Sequence, residues 1–148
     1  MTKESRPQLL VDISVKITSD AKGGYAFHYA GDFCKPNGDL DFSGGDARKK
    51  AIRIVFSIAD GSLAGVKFQA KGDNAFWIAE KCKTGPDGCP QGPYCGDQFT
   101  GVTTLAKGAK LQLIDKNDDG KLYRYMLRFD LNGALVIHDP DNQNGGHD

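Results

Sequence analysis

The chain has little that would advertise a function. Lysines and arginines (19) balance aspartates and glutamates (19), so the 148-residue protein has no net charge and a pI of about 6.8. That balance removes the long-range field that draws proteins to nucleic acid or to anionic membrane surfaces. No apolar run approaches the roughly 20 residues that cross a bilayer as a helix. Histidine (3), methionine (2) and tryptophan (1) are scarce. The G-x-S-x-G elbow, the H-E-x-x-H zinc helix and the G-x-x-x-x-G-K-[ST] phosphate loop are all missing, as is any Cys-His pair that the sequence places together. The basic triplet Arg48-Lys49-Lys50 beside Gly44-Gly45 lacks the order of a phosphate loop, and reads as edge-strand solubility chemistry. No catalytic residue and no organic cofactor is expected.

The N-terminus MTKESRPQ is polar and the apolar Leu9-Leu10-Val11 behind it is broken at once by Asp12, which is not a secretory signal as it stands. A cytoplasmic location follows if Met1 is the native start, and a secreted or periplasmic one if a leader has been removed.

What the chain does have is glycine (19) and short alternating apolar runs. Val11, Ile13, Val15 and Ile17 alternate with polar residues, as do Tyr25, Phe27 and Tyr29, then Ile52, Ile54, Phe56 and Ile58. Period-two patterns bounded by Gly, Asp and Asn indicate half-buried strands. Further short strands are expected at Leu40–Phe42, Val66–Ala70, Phe76–Ile78, Phe99–Leu105 and Leu135–Ile137. The expected fold is an all-β, two-sheet antiparallel sandwich of about eight short strands. The expected organisation is a polar segment 1–8, one domain over 9–139, and a polar, mobile tail 140–148.

Several signals coincide in LQLIDKNDDGKLYRYMLRF, Leu111 to Phe129. Leu111 and Leu113, then Tyr123, Tyr125, Leu127 and Phe129, mark two strands, and Asp119-Gly120 supplies the positive φ of a reversal, which predicts a hairpin. The same turn carries Asp115, Asn117, Asp119 and Gly120 in the D-x-[DN]-x-[DN]-G order, which in calcium loops sets oxygens around a hard cation. The twelfth position, where such loops need a carboxylate, is Met126. Asp115, Asn117 and Asp119 are therefore candidate calcium ligands on a strand-flanked, incomplete loop.

Residues 80–98, EKCKTGPDGCPQGPYCGDQ, interrupt the strand rhythm with a long Cys/Gly/Pro-rich loop, and loops of that length inside a compact domain are usually stapled or functional. Cys34, Cys82, Cys89 and Cys95 are candidates for two disulfides, each worth about 2–4 kcal/mol. Cys82, Cys89 and Cys95 are also candidate zinc ligands, although their spacing is wider than the usual two-to-four-residue knuckle. Blue copper is disfavoured, because no histidine follows Cys95 until His138. His28 and His138 read as surface or satisfied core residues.

From Leu111 to Gly146, the series Asp115-x-Asn117, Tyr123-x-Tyr125-x-Leu127, Asp139-Pro140 and Asn144-Gly145-Gly146 resembles small, functionally uncharacterised bacterial β-sandwich proteins of cupredoxin-like or immunoglobulin-like shape. The resemblance implies the fold and brings no catalytic residues. The expected function is a non-enzymatic binding or interaction module for a protein or small ligand, with the 80–98 loop and the acidic tip near Asp115 as its surfaces. The alternative is a metal-binding protein, with zinc at the cysteines or calcium at the Asp115 turn.

Overall fold

A computed structural model describes residues 7–81, 84, 88, 90–92, 94 and 96–146. Among them are eleven strands: β1 (Gln8–Ser19), β2 (Tyr25–Ala30), β3 (Leu40–Asp41), β4 (Ala51–Ile58), β5 (Val66–Phe68), β6 (Phe76–Glu80), β7 (Phe99–Leu105), β8 (Lys110–Asp115), β9 (Leu122–Leu131), β10 (Ala134–His138) and β11 (Asp141–Gln143). One short helix, α1 (Gly72–Ala75), precedes β6. The protein is all-β, as the period-two patterns require.

One sheet has the order β2-β1-β4-β8-β7. The other is built around β9, whose ten residues pair with β10 and then β11 along one edge and with β5 and then β6 along the other. β3 extends it beyond β11. Neither sheet is purely antiparallel. β1 and β4 run parallel, with Val11 opposite Ile54 and Ile13 opposite Phe56, and β11 runs parallel to β3. Alternation places an apolar residue on a face but carries no information about strand direction, so the expected antiparallel pairing fails at these two places.

The inward residues of both sheets form one core. Val15, Ile17, Ile52, Phe56, Leu111, Leu113, Leu127 and Phe129 are fully enclosed. Rings from the two sheets meet across it, Phe27 against Phe129 at 6.1 Å and Phe56 against Tyr125 at 5.7 Å. Tyr125 keeps its hydroxyl inside by donating to the Gly38 carbonyl at 2.6 Å, since a buried hydroxyl without a partner would cost more than its ring contributes. The outward side of β9 is also partly roofed. Arg128 lies over the Trp77 ring at 3.8 Å and covers Met126.

Two further expectations change. Residues 116–121 do not make a hairpin: β8 pairs with β4 and β7 in the first sheet, and β9 lies in the second, so the acidic segment carries the chain from one sheet to the other. Residues 141–146 are not a loose tail. Asp141–Gln143 is β11, and Asn142 and Asn144 are each 1% exposed. Polarity suggested a solvated end, but inside the protein the Asn142 amide donates to Asn144 and Asp115 and the Asn144 amide to Gln98 and Asp119, while the buried Asn142 oxygen has no hydrogen-bond partner among the described residues. The tight turn at Asn132-Gly133 is found where expected, joining β9 to β10 with φ of 52° and 93°.

Candidate functional site

The crossover is held by a buried polar cluster at one end of the two sheets. Asp115, the last residue of β8, is completely enclosed, as is Asn117. The Asp115 carboxylate accepts from the Asn117 backbone N–H at 2.9 Å and from the Asn142 amide at 3.4 Å. Burial pushes its pKa from 3.8 up to about 7, against the partial relief those donors give. Asn117 stands at a φ of 56°, a left-handed conformation that Asn tolerates well. Its amide nitrogen donates to the carbonyls of Phe42, Ala47 and Lys50 at 3.0, 3.0 and 3.2 Å, and its oxygen accepts from the Gly145 N–H at 2.6 Å. One side chain thus ties the crossover to both the 42–50 segment and the end of the described chain.

Gln98 and Asn144 extend the cluster outward. Gln98 donates to the Asp118 carboxylate at 2.9 Å, while its oxygen accepts from the Asp118 N–H and the Asn144 amide, each at 3.2 Å. Asn144 also donates to Asp119 at 3.1 Å, and Asp119 accepts from the Tyr123 hydroxyl at 2.6 Å. Burial, followed by that bond to Asp119, pushes the Tyr123 phenol up. It remains a hydrogen-bond donor at any physiological pH.

These bonds decide what the candidate calcium residues do. The Asn117 oxygen accepts from the Gly145 N–H, the Asp115 carboxylate from the Asn117 N–H and the Asn142 amide, and the Asp119 carboxylate from the Tyr123 hydroxyl, the Asn144 amide and the Lys121 N–H. Each of the three candidate side chains is thus engaged by donors within the protein, and among the described residues no group of three or more His, Cys, Asp or Glu side chains could hold a metal ion. Cys82, Cys89 and Cys95, named for zinc or disulfides, lie outside the described residues. Cys34 carries a free thiol that donates to the Lys35 carbonyl at 3.3 Å. Burial, then the Asp39 charge, pushes it up to about 12, so it is not a ready nucleophile.

Above the polar cluster lies a cleft of about 500 Å³. Its walls come from the two segments that the sequence singled out separately. Glu80, Gln91, Gly92, Tyr94, Asp97 and Gln98 form one wall, and Asp119, Lys121 and Tyr123 the other. Tyr94 is set edge-on against Phe99 at 5.3 Å, and its oxygen accepts from the Gln98 N–H at 3.0 Å. With the oxygen engaged as an acceptor, the Tyr94 proton is the part of the hydroxyl left to donate. Glu80 and Lys121 pair at 2.9 Å at the rim. The cleft therefore offers carboxylate acceptors, phenol and ammonium donors and an aromatic wall, all braced from behind by buried amides.

Outside the cleft, the His138 Nδ1 lies 2.8 Å from the Tyr29 hydroxyl, and the ring stacks on Phe27 at 4.3 Å. Burial pulls the His138 pKa down, which keeps the ring neutral. It is a satisfied, packed histidine. Asn142 and Gln98 carry no local sequence signal, because an amide reads the same whether it is buried or exposed, and Asn144 is visible in the sequence only as the start of Asn144-Gly145-Gly146. The chain matches no model of a known protein family and no curated protein.

Proposed function

We propose that this protein is a non-enzymatic binding module, a two-sheet sandwich of the kind it resembles among small bacterial proteins, whose ligand sits in the Glu80–Tyr94–Asp119–Tyr123 cleft. The observation that carries the reading is the convergence of the 80–98 segment and the acidic crossover on one concavity of about 500 Å³, within the size range of small-ligand sites. The recognising groups are already fixed before a ligand arrives, Asp119 by Tyr123, Asn144 and the Lys121 N–H, and Tyr94 by Gln98. Preorganisation of that kind lowers the ordering cost of association.

A thermal-shift screen of saccharides, short peptides and amines tests it, with a cleft-blocked variant as control. Gly92 lines the cleft, and a Cβ there meets nothing within 4 Å, so Gly92→Trp adds an indole at the cleft wall without a clash at its Cβ. A ligand held in the cleft raises the melting temperature of the native protein and not of Gly92→Trp. Equal stabilisation of both proteins, or chemical conversion of the ligand, would sink the proposal.

A further inference from the structure

A strand at the border of a sheet leaves the N–H and C=O of every second residue without a partner, and such a row pairs with another chain unless something blocks it. Three borders of this protein are blocked. At β2 the Tyr29 N–H is taken by the Pro36 carbonyl, and beyond β3 the Asp41 N–H is taken by the Phe33 carbonyl. At β7 the ladder shifts register between Thr100 and Thr103, and α1 backs Gly72 onto the Val102 carbonyl. β10, which borders the second sheet beside β9, runs in unbroken register and has none of these covers among the described residues.

The turn fixes which groups β10 leaves open. Asn132-Gly133, with both φ positive, is a two-residue hairpin connection, so Leu131 and Ala134 form the first hydrogen-bonded pair, and Val136 and His138 bond to β9 in turn. Two bonds on β9 agree with that alternation. The Tyr125 N–H donates to the Pro140 carbonyl on the β10 side, whereas the Arg128 carbonyl accepts from the Gln69 N–H on the β5 side. The N–H and C=O of Leu135 and of Ile137 therefore point away from β9, and no described residue bonds to them. Their side chains stand on the outer face, 53% and 44% exposed, while Val136 between them is 2% exposed. The strand reads Ala-Leu-Val-Ile-His, without the proline, lysine or carboxylate that commonly guards an edge.

We propose that β10 is a self-association edge, at which two copies of this chain pair antiparallel about a twofold axis through Val136. In that register Leu135 of one copy faces Ile137 of the other, and each such pair exchanges two hydrogen bonds, so every open N–H and C=O of both strands finds a partner. A second copy suits this edge because a twofold brings identical charges together, and β10 brings none: His138 faces inward, stacked on Phe27. The absence of net charge adds no long-range repulsion between copies. Five residues give an edge about 17 Å long and ~10 Å deep with its side chains. The area this closes is well under the ~800 Å² per partner of a standard interface, so the pairing is reversible and depends on concentration. It does not rest on the cleft, whose walls include no residue of β10.

Sedimentation velocity of the whole protein between about 5 and about 500 µM tests it: the average mass should rise from 16.0 kDa toward twice that value. Ile137→Pro removes an outward N–H and leaves the ladder to β9 intact, and should weaken association at least about tenfold. Ile137→Lys sets a charge on the paired edge of both copies and should do the same; it decides the matter if circular dichroism shows that the proline variant has not folded. Leu10→Lys is the control. Leu10 is more exposed, at 57%, but lies on β1 inside the first sheet, so this variant associates like the native protein. Hydrogen exchange read by NMR should show the Leu135 and Ile137 amides slowed at least about threefold at the upper concentration, with the Val136 and His138 amides protected throughout. A native protein that stays at 16.0 kDa overturns the proposal. So does association that survives Ile137→Lys or is lost in Leu10→Lys. Leu135 and Ile137 amides already protected at the lowest concentration also overturn it, because the edge is then covered within the chain.

Discussion

Removing the Asn117 side chain should cost more than removing any other single amide in the protein. In Asn117→Ala, the carbonyls of Phe42, Ala47 and Lys50 lose a donor and the Gly145 N–H loses its acceptor. The Ala47 carbonyl keeps its bond from the Lys50 N–H, so that loss is partial. An N–H stranded in a buried place costs about 1–3 kcal/mol, and a carbonyl somewhat less because it has two lone pairs. Alanine must also hold a φ of 56°, at about 1–2 kcal/mol. The total is on the order of 5 kcal/mol, against the ~5–15 kcal/mol that holds a domain folded. Urea titration followed by far-ultraviolet circular dichroism gives the difference by linear extrapolation. Asn117→Gly separates the two contributions: it loses the same bonds without the backbone penalty, and should be about 1 kcal/mol less damaging than Asn117→Ala. A loss below about 1 kcal/mol in Asn117→Ala would show that the 42–50 segment and Gly145 are not held by this side chain, and the account of the crossover would be wrong.

Other outcomes follow from the same structure. The Asp115 pKa is raised from 3.8 to about 7, so the folded state binds a proton more tightly than the unfolded state. The stability this confers is full below about pH 4 and is lost as pH rises through 7, a change on the order of 4 kcal/mol at roughly 1.4 kcal/mol per pH unit; Asp115→Asn should flatten the stability profile across that window, and an unchanged slope would place the titration elsewhere. Arg128→Ala uncovers Trp77, so the fluorescence of this single tryptophan should shift to the red, with a stability loss of about 1 kcal/mol from the stacked guanidinium; an unmoved emission maximum argues against the stack. Gly133 has a φ of 93° and open space around it, so Gly133→Ala should cost only the backbone penalty of about 1 kcal/mol in thermal melts. A much larger loss would mean the β9–β10 turn is packed rather than merely bent.

Strand positions were legible because each depends on neighbours along the chain. The alternation of Val11 to Ile17 and of Tyr123 to Phe129 survives whatever the strand pairs with, and Asn132-Gly133 specifies its turn through its own dihedral angles. Pairing partners were not legible. Leu113 and Tyr125 read as two arms of a hairpin, yet they lie in different sheets, since an alternating strand fits any neighbour that presents an apolar face. β11 was missed for the opposite reason. Asp141, Asn142 and Gln143 have no apolar residue to mark a buried face, and only Asp115, Gln98 and Asn144, far away in sequence, make burying such amides favourable.

The site divides along the same line. The 80–98 segment and the acidic residues near Asp115 stand out in the sequence, because length and charge are local properties. That they face each other across one cleft, and that the Asn117 amide ties residues 42–50 and Gly145 together, depends on the packed sheets. A side chain's role is set by which donors and acceptors surround it, and for Asn117 these come from residues 42, 47, 50 and 145, which are adjacent to it only once the sheets have packed.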